Sequence, residues 1–269
     1  MTYQPTILTD LKDGVLTVTI NRPEKKNAFN NDLYDDLRDE LNNARENDEV
    51  VCMVLTNAGT TFSAGQDLAV FSGGGGKSER PKTSEAPMGF PGYQNALLDF
   101  DKPLIIAVNG PAVGIGATSL LHADIVYVSE SSRVRFPFVS LGIVPEAGST
   151  VLLPMIVGLQ KASELLLSAD WISADECVEL GLAAAKYADD EILTKAQERA
   201  AQIAGHAPSS LVETKRMLLD WRRDILREAC NREGGALGRT VGQPENMEAI
   251  MAFMQKRKPD FTNKRNKKK

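Results

Sequence analysis

In "GVLTVTI" (14–20) polar and β-branched residues alternate, which predicts a strand ending at "NRPEKKN". Leu33, Leu37 and Leu41 then recur at helical spacing through "NNDLYDDLRDELNNARENDEV" (30–50), with acids and bases between them. That spacing predicts an amphipathic helix opened by an Asn or Asp cap. Continuous apolar runs in "VCMVLTNAG" (51–59), "PLIIAVNG" (103–110) and "ADIVYVSE" (123–130) predict three more strands. Strands alternating with helices over the first 190 residues predict an α/β arrangement. From Glu191 the period is helical, in "ILTKAQERAAQIAGH", "SSLVETKRMLLDWRRDILREACNREGGALG" and "PENMEAIMAFMQKRKPDF". Helices at the end of an α/β chain cover a core or dock a subunit.

One interval breaks the pattern. Between Phe71 and Pro91, "SGGGGKSERPKTSEAPMGFPG" is rich in Gly, Pro, Ser and charge. It reads either as a linker or as a mobile cover over a site, and composition does not separate the two.

Composition narrows the function. A chain of 269 residues with net charge −5 gives no reason to expect nucleic-acid binding, and the basic "KRNKKK" tail from Lys264 reads as a solvated terminus. No apolar run is long enough to span a bilayer, and no signal peptide opens the chain, so a cytoplasmic protein is expected. Cys52, Cys177 and Cys230 match no metal spacing and read as packed, reduced thiols. His122 and His206 are too few for a His-based triad or a metal site, so no metal is expected.

Four segments carry candidate chemistry. In "TTFSAGQDL" (60–68), Ser63, Ala64 and Gly65 let another group approach the backbone closely; a tight turn is the plainer reading. In "AVNGPAVGIGATSLLHADIVY" (107–127), Gly110, Gly114 and Gly116 lead from a strand into a helix whose first N–H groups are free for a polar ligand atom. Lys25 and Lys26 in "NRPEKKNAFN" read either as solvated charge or as partners for a phosphate. The fourth segment, "LGIVPEAGST" (141–150), sets one carboxylate, Glu146, among apolar and small residues. After a proline, such an acid is a common helix-start residue, favourable by about 0.3–1 kcal/mol. It also fits a general base.

"NRPEKKNAF", "FSAGQDL", "VNGPAVGIG" and "ADIVY", in this order and spacing, resemble the enoyl-CoA hydratase/isomerase (crotonase) superfamily, from about Gly14 to "KRKPDF". The resemblance implies a spiral of ββα units, a core over 1–200, a C-terminal helical region over 201–269 for core covering and trimerisation, and a homotrimer or dimer of trimers. It implies an acyl-CoA thioester as substrate, with coenzyme A part of that substrate and no other cofactor. Its oxyanion-hole donors fall on the N–H groups of Gln66 and Ile115. Contacts to coenzyme A and the acyl chain fall on Lys25, Lys26, Ala28, Ala64, Gly65, Gln66, Asp67, Leu68, Gly114 and Phe138, although Asp67, like Asp124, also reads as a structural hydrogen-bonding partner. The "FVSLGIVP" wall and the 71–91 loop are expected to shape the acyl tunnel.

Within the superfamily the acid/base groups move. Hydratases carry glutamates where this chain has Thr118 and Phe138, and glycine in a "PGAGG" segment where it has Glu146 in "PEAGS". Peroxisomal-type Δ3,Δ2-enoyl-CoA isomerases carry their catalytic glutamate in segments resembling "PEGxS". The resemblance therefore implies an isomerase with Glu146 as its base. A hydrolase, decarboxylase or hydratase on the same site, and a non-catalytic acyl-CoA-binding or interaction protein, stand as alternatives.

Overall fold

The structure is a computed structural model that describes residues 5–67 and 87–261. From the N-terminus, β1 (Ile7–Lys12) and β2 (Val15–Ile20) form a hairpin, and α1 (Asn31–Glu46) leads into β3 (Cys52–Asn57). Next come α2 (Phe90–Asp99), β4 (Leu104–Val108), the short β5 (Ala112–Val113) and α3 (Ile115–Leu120). After β6 (Ile125–Ser129) and β7 (Arg133–Arg135) the chain forms α4 (Ser149–Val157) and α5 (Leu159–Ser168). Then follow β8 (Trp171–Ser173), α6 (Ala174–Glu179) and β9 (Ala185–Tyr187), and the chain closes with α7 (Ile192–Ala204), α8 (Pro208–Thr240) and α9 (Pro244–Met254). The strands form a six-stranded sheet, β1-β2-β3-β4-β6-β9, parallel except at β1, and a small sheet β5-β7-β8.

Side chains alternate across a strand, so each apolar run divides between two faces. Cys52, Val54, Ile105 and Ala107 meet Ile192, Ala196 and Ala200 of α7. Met53, Leu55, Leu104 and Ile106 enter the main core with Leu33, Leu37 and Leu41 of α1. A parallel sheet covered on both faces needs such unbroken apolar strands. The strands expected at 14–20, 51–59, 103–110 and 123–130 are β2, β3, β4 and β6, and the Asn30 side chain caps α1 by accepting the Leu33 N–H at 3.0 Å.

Three features depart from the sequence reading. Strand β1 is an edge strand, exposed after Ile7, and carries no apolar alternation to announce it. The irregular interval from Phe71 lies mostly outside the described residues, and it ends before Pro91, because α2 starts at Phe90 with Pro91 in its first turn. Proline suits that place, where no N–H is needed. A boundary at 200 falls inside α7, whose buried face belongs to the sheet, so the core reaches Ala204. The basic tail from Lys264 lies outside the described residues. Among the described residues no helix is long and apolar enough to cross a membrane, and the three cysteines are buried free thiols.

Helix α1 also holds the segment that leads into α2. Buried Arg38 donates to Asp35 at 2.6 Å, to Asp39 at 2.7 Å and to the Pro87 carbonyl at 3.0 Å, while Asp35 accepts the Gly89 N–H at 2.7 Å. Arg38→Ala strands a buried carboxylate. It is expected to lower the unfolding free energy by about 3–5 kcal/mol in urea titrations; a loss below about 1 kcal/mol would contradict this role.

Candidate active site

Two backbone segments meet at one end of the main sheet. Ser63 donates its N–H to the Pro111 carbonyl at 3.1 Å, and its own carbonyl accepts the Val113 N–H at 2.9 Å. Small residues permit this approach. A Cβ on Gly116 would lie 2.6 Å from the Ser63 Cβ, and one on Gly65, where φ is +89°, would lie 3.1 Å from the Val113 carbonyl oxygen. The meeting leaves two donors over. Among the described residues the N–H groups of Gln66 and Ile115 have no acceptor, the second because the first turn of α3 offers it none.

Both donors are held from behind. The Gln66 side chain accepts the Tyr34 hydroxyl at 2.7 Å and donates to the Phe29 carbonyl at 3.0 Å, so the residue cannot rotate freely. Burial, then the nearby charges of Glu146 and Tyr93, hold the Tyr34 phenol well above its ordinary pKa, so it stays a donor. The Ile115 carbonyl accepts the Ser119 hydroxyl at 2.7 Å, and Ser119 in turn accepts the Tyr93 hydroxyl at 3.0 Å.

Gln66 and Ile115 line a cavity of about 300 Å³ together with Ala64, Gly65, Gly114, Phe138 and Glu146. Its remaining wall is mostly apolar, with Phe90, Leu141 and Ile143 on one side and Leu237, Ile250 and Phe253 from α8 and α9 on the other. Among the described residues Glu146 is the one carboxylate in the lining, and Arg135 the one cation. The α8 and α9 residues were not expected at the site, since amphipathic spacing shows a buried face without its partner. Gly142 admits α9: a Cβ there would lie 2.8 Å from the Asn246 backbone nitrogen, and the Asn246 side chain donates to the Leu141 carbonyl at 2.7 Å.

Glu146 is not a helix-start acid. Helix α4 begins at Ser149 with Gly148 as its N-cap and has no acid in its first turn; Glu146 sits in the preceding loop, facing the cavity. Left-handed backbone at Ala147 (φ 58°) and Gly148 (φ 71°) turns the chain there, at a cost of about 1–2 kcal/mol for the alanine. His122 Nε2–H donates to the Ala147 carbonyl at 2.7 Å; burial lowers the His122 pKa to about 4, so the ring is neutral. Burial, then the negative charge of Glu233 on α8, pushes the Glu146 carboxyl up to about 8.

The other expected residues lie as follows. Thr118 is buried and donates to the Ile115 carbonyl at 3.3 Å, outside the lining, whereas Phe138 forms part of the wall. Lys25 and Lys26 are exposed and do not line the cavity, but the Lys26 carbonyl accepts the Ala64 N–H at 3.0 Å, which ties their loop to the Gln66 segment. Ala28 is buried and, like Asp67, lies outside the lining; Arg22 donates to the Ala28 carbonyl and pairs with Asp67 at 3.3 Å. Asp124 accepts the Leu104 N–H at 2.8 Å and pairs with Lys215 at 2.7 Å. Leu68 lies outside the described residues. Among the described residues no three His, Cys, Asp or Glu side chains are grouped to hold a metal.

Known proteins share this arrangement. The family described as enoyl-CoA hydratase/isomerase matches residues 10–264. A crystal structure of an enoyl-CoA hydratase/isomerase from Pseudoalteromonas atlantica T6c superposes with a TM-score of 0.88 at 36% identity, covering 96% of this chain and all of that one. The 1,2-epoxyphenylacetyl-CoA isomerase of Escherichia coli is 33% identical over 96% of this chain and 98% of its own. Enoyl-CoA delta isomerase 2 of Rattus norvegicus is 34% identical over 94% of this chain, which spans 64% of the rat protein. With its crotonase fold and this match along almost its whole length, the chain belongs to the enoyl-CoA hydratase/isomerase family.

Proposed function

We propose that this protein is a Δ3,Δ2-enoyl-CoA isomerase, moving the double bond of a 3-enoyl-CoA to the 2-trans position by a 1,3-proton transfer. One observation carries the reading: among the described residues a single carboxylate, Glu146, shares the cavity with the two unpaired N–H groups of Gln66 and Ile115. Glu146 takes a proton from C2, the electron pair delocalises onto the thioester oxygen, and the two N–H groups stabilise that dienolate. Each such donor contributes about 2.7–4 kcal/mol to the transition state. The protonated carboxyl then delivers the same proton to C4, re-forming the double bond between C2 and C3. Hydration needs a further acid/base group to handle water, and Thr118 and Phe138 supply none.

Family membership makes the protein an enzyme of acyl-CoA thioesters, and relatives at similar identity include a 2,3-dehydroadipyl-CoA hydratase of Escherichia coli, so the choice between reactions rests on Glu146. Coenzyme A enters as part of the substrate, with no separate cofactor, and exposed Lys25 and Lys26 suit its phosphates. Three reduced, buried thiols suit a cytoplasmic setting. A second reading keeps the single acid and changes the acyl group: Phe90, Phe138 and Phe253 in the wall fit a ring, and one relative is named for a phenylacetyl-derived substrate. Product analysis with linear and cyclic thioesters separates the two.

Glu146→Gln is expected to lower kcat for 3-enoyl-CoA isomerisation by about 10²–10⁴-fold with KM little changed, followed by product absorbance; full activity would sink the assignment.

The raised pKa gives a second expectation. Between the ordinary carboxyl value of 4.5 and about 8, the folded state holds a proton that the unfolded chain releases. Stability contributed by the neutral form is thus lost as pH rises toward 8, while the ionised base, and with it kcat/KM, increases over the same range. The melting-temperature advantage of Glu146→Gln over the wild type should widen from about pH 5 to about pH 9, and wild-type kcat/KM should reach half its plateau near pH 8 and level off above it; flat profiles would contradict the burial of the base.

Met217, Leu218, Trp221 and Ile225 form an exposed apolar stripe on α8, which suits a subunit contact. Light scattering should give the mass of a homotrimer or a dimer of trimers, and Trp221→Glu should reduce it; a monomeric wild type would overturn this expectation.

A further inference from the structure

The loop that carries Glu146 is held by a residue far away in the chain. Glu233 on α8 is buried, and its carboxylate accepts the Gly148 N–H at 2.7 Å, the Thr150 N–H at 2.9 Å and the Thr150 hydroxyl at 2.6 Å. Those backbone groups belong to the N-terminal end of α4, where an acid is ordinarily supplied by the helix's own first turn, which here has none. Glu233 has no ion-pair partner among the described residues, so donors from the loop balance its charge. A buried carboxylate placed beside a second, cavity-facing carboxylate is a costly arrangement for a purely structural cap.

We infer that Glu233 is the positioning residue for Glu146: by gripping Gly148 and Thr150 it sets where the Glu146 carboxyl stands in the cavity, and it keeps a fixed negative charge behind that carboxyl. Grip and charge are separable. The grip fixes the left-handed turn at Ala147 and Gly148, with His122 holding the Ala147 carbonyl as well. The charge favours the protonated form of Glu146, in the same direction as burial. The groups facing Glu146 are Glu233 from α8, the Tyr34 phenol from α1, neutral His122 through Ala147, and Arg135 of β7 in the cavity wall. Of these, Glu233 alone adds negative charge near neutral pH. This inference rests on Glu146 being the base of the proposed isomerisation.

The test compares Glu233→Gln, Glu233→Asp and Thr150→Val with the wild type. It measures kcat and KM against pH, and the Glu146 carboxyl titration in the resting protein by infrared difference against Glu146→Gln. Glu233→Gln removes the charge and sets an amide among donors. The acidic limb of the pH profile and the carboxyl titration should both move to lower pH, and kcat at its plateau should fall by about 10–100-fold through misplacement. Glu233→Asp keeps the charge and shortens the reach, so kcat should fall while the limb stays near its wild-type position. Thr150→Val removes one of the donors and should lower kcat by a smaller factor with KM unchanged. A folded Glu233→Gln with unshifted titration and kcat within about twofold of wild type would overturn the inference. Should Glu233→Gln fail to fold, Thr150→Val decides: lowered kcat at unchanged KM supports the inference, and unchanged kcat overturns it. Full activity in Glu146→Gln would instead strike the isomerase reading, while the infrared titration still reports whether Glu233 acts on Glu146.

Discussion

Burying a carboxyl in a mostly apolar wall, with no ion-pair partner among the described residues, is the constraint around which this site is built. An isolated carboxylate in an apolar wall is unfavourable, and the group responds by holding its proton. Glu146 accepts that condition because the loop bearing it cannot turn outward. Ala147 and Gly148 are left-handed, His122 holds one carbonyl, and α8 reaches across to hold the N–H groups beyond it. In the proposed isomerisation, that is the place where a weak acid exchanges a proton with a carbon atom.

The sheet supplies what the acid lacks. A carbon acid next to a thioester yields its proton only if the developing oxygen charge is met, and in the proposed reaction the N–H groups of Gln66 and Ile115 meet it without reorganisation. Among the described residues they are free where Gly65 and Gly116 let two segments run too close for side chains, while Tyr34, Phe29 and Ser119 fix the surrounding residues. The ends of β3 and β4 place those segments, and helices α8 and α9 close the cavity over them. Base, donors and wall therefore come from different levels of the fold. Relatives named hydratase and isomerase match this chain at similar identity, so the family architecture alone does not choose the reaction.

Much of this was legible in the residues. The continuous apolar run through Cys52, Met53, Val54 and Leu55 announced a buried strand, and Leu33, Leu37 and Leu41 announced an amphipathic helix; the structure divides the strand's side chains between two covered faces. Glu146, Gln66 and Ile115 stood in motifs whose order and spacing brought them into one cavity. What was not legible is what depends on distant partners. Strand β1 gave no signal because its pairing with β2 is a backbone matter and its side chains face outward. Glu233 looked like any acid on a long amphipathic helix, and only the fold puts it against Gly148 and Thr150. Local sequence also gave Glu146 the cap that Glu233 in fact provides, since a proline followed by an acid is a common helix-start signal whether or not the helix has begun.

The central claim is that one carboxylate carries one proton between two carbons, and isotope tracing tests it most directly. A 3-enoyl-CoA dideuterated at C2 would be turned over in ordinary water and the product analysed by mass and by NMR. The account predicts one deuterium remaining at C2 and the other transferred to C4 in a substantial part of the product, because the base is shielded from solvent between the two steps. A product whose new C4 hydrogen comes wholly from water would contradict it, showing that the abstracted proton is lost to solvent or that a second group delivers the new one.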